Sequence, residues 1–161
     1  MNTTDVSLRW PPSHNSAGPA LRVLIAEREP ARLAQDSFAL VQSGIDVTTS
    51  ARRDDLHARL DRMAVEAFPG EPIDALVVEE RTSCYDGVSL ARAVREAGWN
   101  LSVFIVADAV SADLTTRAAE AGARVLDRSI TPSSLVRVIL GTLREAVDAR
   151  PTFPAPYAVV P

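Results

Sequence analysis

Short apolar runs alternate five times with stretches of helical period in this chain, and that alternation limits its fold more than any other feature. The runs are Arg22 to Ala26, Ile45 to Thr49, Ile73 to Val78, Leu101 to Ala107 and Arg124 to Asp127. Strands separated by amphipathic helices are βα units around a parallel sheet. The first, third and fourth runs are nearly all apolar, as central strands covered on both faces must be, and the second and fifth read as edges. The expected architecture is α/β, a doubly wound (βα)5 parallel sheet of strand order 2-1-3-4-5.

Helix signals fall between the runs. Pro30 is a favoured first-turn residue, and a helix from it to just before Gly44 is expected to bury Ala34, Phe38 and Val41. A second helix spaces Leu56, Leu60, Met63 and Ala67 along one stripe. The third follows Asp86, read as its cap, turns Val88, Ala91 and Val94 inward, and stops at Gly98. The fourth opens near Ser111, which with Asp113 supplies acceptors for free amides, and carries Leu114, Ala118 and Ala121. The fifth opens at Thr131 and Pro132 and runs to about Ala149. Its apolar arc is wide, with Leu135, Ile139 and Thr142 on one line and Val136, Leu140, Leu143 and Val147 on the next. Such an arc is buried on its own sheet or shared with a partner.

At 161 residues the chain suits one core, expected over residues 21–149. Residues 1–20, rich in Pro, Ser and Asn, read as an arm, and residues 150–161 as a proline-rich tail. A net charge of -4 and no basic run give no reason to expect a nucleic-acid surface. No apolar stretch approaches bilayer length, and no basic segment precedes an apolar block at the start, so a cytoplasmic location without a membrane partner is expected. Cys84 is the only cysteine, which excludes an internal disulfide or a cysteine-rich metal site. All 17 basic residues are Arg, so mechanisms that require a lysine, such as a P-loop or a Schiff base, are closed.

Sheets of this type place ligands beyond the carboxyl ends of their strands, which directs attention to the loops after Ala26, Val78, Ala107 and Asp127. Around them stand Val23 to Pro30 with an acidic turn, Asp74 to Glu79 followed by Asp86-Gly87, and Arg128-Ser129-Ile130-Thr131-Pro132, with Ala119-Glu120-Ala121-Gly122-Ala123 at the end of the fourth helix. Five such pieces in order resemble the receiver domain of two-component response regulators, the CheY-like branch of flavodoxin-like folds. The resemblance spans roughly Leu21 to Val147.

The resemblance implies a pocket in which two acids of the first loop help to hold Mg²⁺, an Asp after the third strand accepts a phosphoryl group, a Thr or Ser reads it, and a Lys pairs with it. This chain departs from that pattern. Glu27 and Arg28 fill the acidic pair, Glu79 stands at the phosphoacceptor position, Ala107 at the hydroxyl position and Arg128 at the lysine. The Thr131-Pro132-Leu135 pattern places Arg128, and not Ser129, in the last role. Val125 stands where the family has an aromatic, leaving no ring to swing.

A cationic Arg28 opposes a divalent ion, which demands oxygen ligands in near-octahedral geometry. Lengthening Asp to Glu displaces the nucleophilic oxygen from the in-line position, and about 1 Å of misplacement costs ~100-fold. The expectation is a degenerate phosphorylation pocket of Glu27, Arg28, Glu79, Ala107, Asp108 and Arg128, closed by its own ion pairs, with no catalytic residue, metal or cofactor. Asp108 is read as an exposed loop carboxylate within reach of the pocket, and Ser83, Cys84 and Tyr85 as its mouth. His14 and His57 have no visible partner.

The resulting expectation is a signalling module that is not an enzyme. Its partner is another signalling protein or a second copy, met on the fourth helix, fifth strand and fifth helix. A working phosphorelay receiver with an unorthodox acceptor is the second reading. A flavodoxin-like small-molecule sensor or enzyme is the third, opposed by Glu27-Arg28-Glu29 where a phosphate loop would be.

Overall fold

The structure, a computed structural model, describes residues 21–50, 73–82 and 85–148. In chain order these form β1 (Arg22–Ala26), α1 (Pro30–Gln42), β2 (Asp46–Ser50), β3 (Ala75–Glu79), α2 (Gly87–Glu96), β4 (Ser102–Ala107), α3 (Ala112–Glu120), β5 (Ala123–Asp127) and α4 (Pro132–Asp148). The helix expected around Leu56 to Ala67, both terminal segments, Ser83, Cys84, His14 and His57 lie outside the described residues. The third, fourth and fifth helices of the sequence reading are therefore α2, α3 and α4.

The strands form one five-stranded parallel sheet in the order β2-β1-β3-β4-β5, as expected for this class of α/β fold. Successive side chains of a strand point to opposite faces. Leu24, Leu76, Val78, Val103 and Ile105 accordingly build one core layer with Val88, Ala91, Val94, Leu114 and Ala118 of α2 and α3. Val23, Ile25, Val77, Phe104 and Val106 build the other with Leu40 of α1 and Leu135, Ile139 and Leu143 of α4. The wide arc of α4 is thus largely taken up by its own sheet; on the outer side Arg124 of β5 reaches Thr142 and Glu145.

The cap signals hold. Asp86 accepts from the Ser89 amide at 2.8 Å and Ser111 from Leu114 at 3.1 Å; Asp113, expected to serve free amides as well, instead lies 3.6 Å from Arg117 one turn on. Thr131 Oγ1 accepts from the Ser134 amide at 3.3 Å.

The inward stripe expected for α1 is corrected. Ala34 is exposed, Val41 only half-buried and Phe38 62% exposed, whereas Asp36 and Leu40 are buried. The helix is rotated relative to its apolar pattern because its inner line, Leu33, Asp36 and Leu40, includes a carboxylate whose charge is matched by Arg32.

The parallel register brings the carboxyl ends of β1, β3, β4 and β5 to one edge of the sheet, where Ala26 pairs with Val78, Glu79 with Val106 and Ala107 with Asp127. Behind that edge Gly87 is packed so closely that a Cβ would lie 2.8 Å from the Glu79 carbonyl oxygen. The α2 start is thereby pinned to the end of β3, with the Gly87 amide donating to Glu80 at 2.8 Å.

Candidate functional site

Two carboxylates sit at the floor of this edge. Glu79 ends a strand covered on both faces and is 2% exposed; Glu27 follows β1 and is 6% exposed. An isolated ionised carboxylate could not persist there, so each needs a partner.

Arg128, leaving β5, supplies it. Its Nη2 donates to Glu79 Oε1 at 3.0 Å and its Nη1 to Glu27 Oε2 at 3.3 Å. Arg28 donates from Nε to the other Glu79 oxygen at 2.9 Å. The second Glu27 oxygen accepts from the Glu29 amide at 2.9 Å, so the acidic turn caps itself. Asp108, 84% exposed, nevertheless bends over the site, with Oδ1 2.6 Å from Arg128 Nε. That contact lies off the N–H direction and is an ion pair without an aligned hydrogen bond.

Ala107 is buried and contributes only its carbonyl, which accepts from the Arg128 amide at 2.8 Å. Ser129, the neighbour of Arg128, turns instead to Asp127, whose carboxyl these hydrogen bonds hold below the usual range.

Proximity drives the two glutamates apart in proton affinity, as expected for acids sharing a site. Burial raises Glu27, and the Glu79 carboxylate beside it adds to the rise against the opposing Glu29 amide and Arg128. Burial would raise Glu79 as well, but hydrogen bonds with Glu27, Arg128 and Arg28 carry it below its ordinary 4.5. Burial also pushes the Tyr85 phenol up to about 12, with the Glu79 charge adding to the effect, so this ring at the pocket wall stays neutral. The guanidinium of Arg128 is raised by Glu79 and Glu27 despite its own burial, and is a permanent cation.

These residues do not fit a divalent cation. Mg²⁺ would need several oxygens at about 2.0–2.1 Å with room for its water, and the glutamate oxygens facing the pocket already accept from Arg28 and Arg128. Among the described residues no group of three or more His, Cys, Asp or Glu is placed to hold a metal.

Sequence reasoning overlooked Arg32 and Asp36. Arg32, one helical turn beyond Arg28, donates to Asp36 and to the carbonyls of Arg128 and Ile130. The available signal was an Arg and an Asp at i,i+4 on a helix opening beside the site.

No family model matches the chain, and no curated protein matches it either. Solved structures do. A response regulator from Thermotoga maritima is 18% identical with a TM-score of 0.66, covering 78% of this chain and 99% of its own. A CheY-like response regulator receiver domain protein from Methanospirillum hungatei JF-1 is 18% identical with a TM-score of 0.69, covering 81% and 98%. The receiver domain of Francisella response regulator 1452 is 17% identical with a TM-score of 0.63, covering 78% and 98%. The chain has the receiver, CheY-like fold.

Proposed function

We propose that this chain is an atypical receiver that acts in signal transduction by binding another protein, without aspartyl phosphorylation, Mg²⁺ or catalysis of its own. One observation carries the reading: both buried glutamates at the phosphoacceptor end of the sheet are already neutralised by Arg128 and Arg28, at 2.9 to 3.3 Å. A phosphoryl group would add a charge of about -1.5 to -2 to such a pocket. Here each oxygen of the two glutamates already accepts a hydrogen bond, and Ala107 offers no hydroxyl to read the group. Any input must therefore come from a partner that favours one conformation over another.

The proposed contact face is α3, β5 and α4, met by a signalling protein or a second copy in the cytoplasm. Because α4 buries Leu135, Val136, Ile139 and Leu143, what this face offers a partner near β5 is the polar set Arg124, Thr142 and Glu145. Recognition there would be electrostatic more than apolar.

The test is incubation with a labelled small-molecule phosphodonor, with and without magnesium, followed by thermal melting. No incorporated label and a Tm independent of both additions are expected. Label that disappears on changing Glu79 or Asp108 would favour the phosphorelay reading, and flavin absorbance in the purified protein the small-molecule reading; either would overturn the proposal.

A further inference from the structure

The turn that carries Arg128 is held from two sides. From β4, the Ala107 carbonyl takes the Arg128 amide at 2.8 Å. From α1, Arg32 reaches across: Nη1 donates to the Arg128 carbonyl at 2.9 Å and Nη2 to the Ile130 carbonyl at 2.7 Å, while Nε donates to Asp36 at 2.7 Å. All three edges of one planar guanidinium are engaged, a geometry that an ammonium cannot copy.

Asp36 itself is 5% exposed, and its Oδ1 has no hydrogen-bond partner among the described residues. Burial pushes its carboxyl up, against the opposing pull of Arg32. A buried ion pair left half-satisfied is weakly stabilising at best and often less favourable than apolar packing of the same volume. Its presence on the inner line of α1 therefore calls for a role other than core stability. Among the described residues, its hydrogen bond goes to Arg32, which it aims at the backbone on either side of Ser129.

We propose that Arg32, oriented by Asp36, is a positioning residue that fixes the Arg128 turn so that the Arg128 guanidinium stays over Glu27 and Glu79. This deepens the reading of a self-closed pocket by naming what keeps it closed. Arg32 touches neither glutamate; its effect on them passes through the main chain of residues 128 to 130. Without it the turn keeps its tie to Ala107 and its local bonds to Asp127, but the Arg128 guanidinium is no longer held over both glutamates and can move outward with Asp108, the exposed acid it already pairs with at 2.6 Å.

The experiment is NMR titration of the Glu79 carboxyl in the full chain, with R32K and R32Q. R32K keeps the charge, so a change in it does not arise from the lost field of a cation. The proposal expects the Glu79 midpoint to move up toward 4.5 in R32K and further in R32Q, with amide exchange at 128 to 130 faster by about tenfold. A folded R32K with the wild-type midpoint overturns it. Failure of R32K to fold would make Arg32 a support of the core and overturns it equally. Neither readout involves phosphodonor labelling, so the pocket could prove reactive while the positioning role stands, or the reverse.

Discussion

Glu27 and Glu79 respond to acid in opposite senses. The folded value of Glu79 lies below the ordinary 4.5, so its contribution to stability is present above 4.5 and is lost as pH falls through the folded value. Glu27 lies above 4.5, so its contribution is full below 4.5 and drains away as pH rises through its folded value. Removing Glu27 alone should therefore flatten the alkaline limb: E27Q is expected to lose less stability than wild type between pH 4.5 and 7 in urea titrations. An unchanged limb would contradict the assignment. Among the described residues R128Q leaves Glu79 paired with Arg28 alone and Glu27 with no guanidinium, and should cost about 3 kcal/mol by the same measurement. That these residues meet was legible from the chain order of the βα units, since each follows a strand that ends at the same edge. The contact of Asp108 with Arg128 was less legible, because a loop carboxylate 84% exposed carries no periodic signal.

Among the elements, α1 separates pattern from packing. Its apolar residues suggested a face through Ala34 and Phe38, but the helix turns Leu33, Asp36 and Leu40 inward. A buried acid is invisible to hydrophobic periodicity, which is why the phase was misjudged. L40A is expected to cost about 2–5 kcal/mol and F38S within about 0.5 kcal/mol of zero, read by denaturant unfolding; comparable losses would restore the original phase. At the head of α2 the constraint is steric. G87A sets a methyl 2.8 Å from the Glu79 carbonyl oxygen and 3.3 Å from Ile105 Cγ2, and should destabilise by about 1–3 kcal/mol. A wild-type Tm in that variant would mean that the end of β3 yields easily.

For the molecule as a whole, topology was readable because the strands fall into two kinds: three apolar runs had to be central and two mixed ones had to be edges. What the pattern lacked was any record of side-chain reach across the sheet edge, such as Arg32 spanning to residues 128 and 130. Residues 21–149 alone are expected to unfold in one cooperative transition at the Tm of the full chain; a lower Tm would assign a packing role to the terminal segments. The pairing of Glu27 and Glu79 with Arg128 has a last consequence at this scale. Their counter-ion is a side chain, present once per molecule and never diluted, so mass action does not govern its occupancy. On the proposed reading a chelator is expected to strip nothing from it, and a rise or fall in free divalent ions outside to have no handle on it.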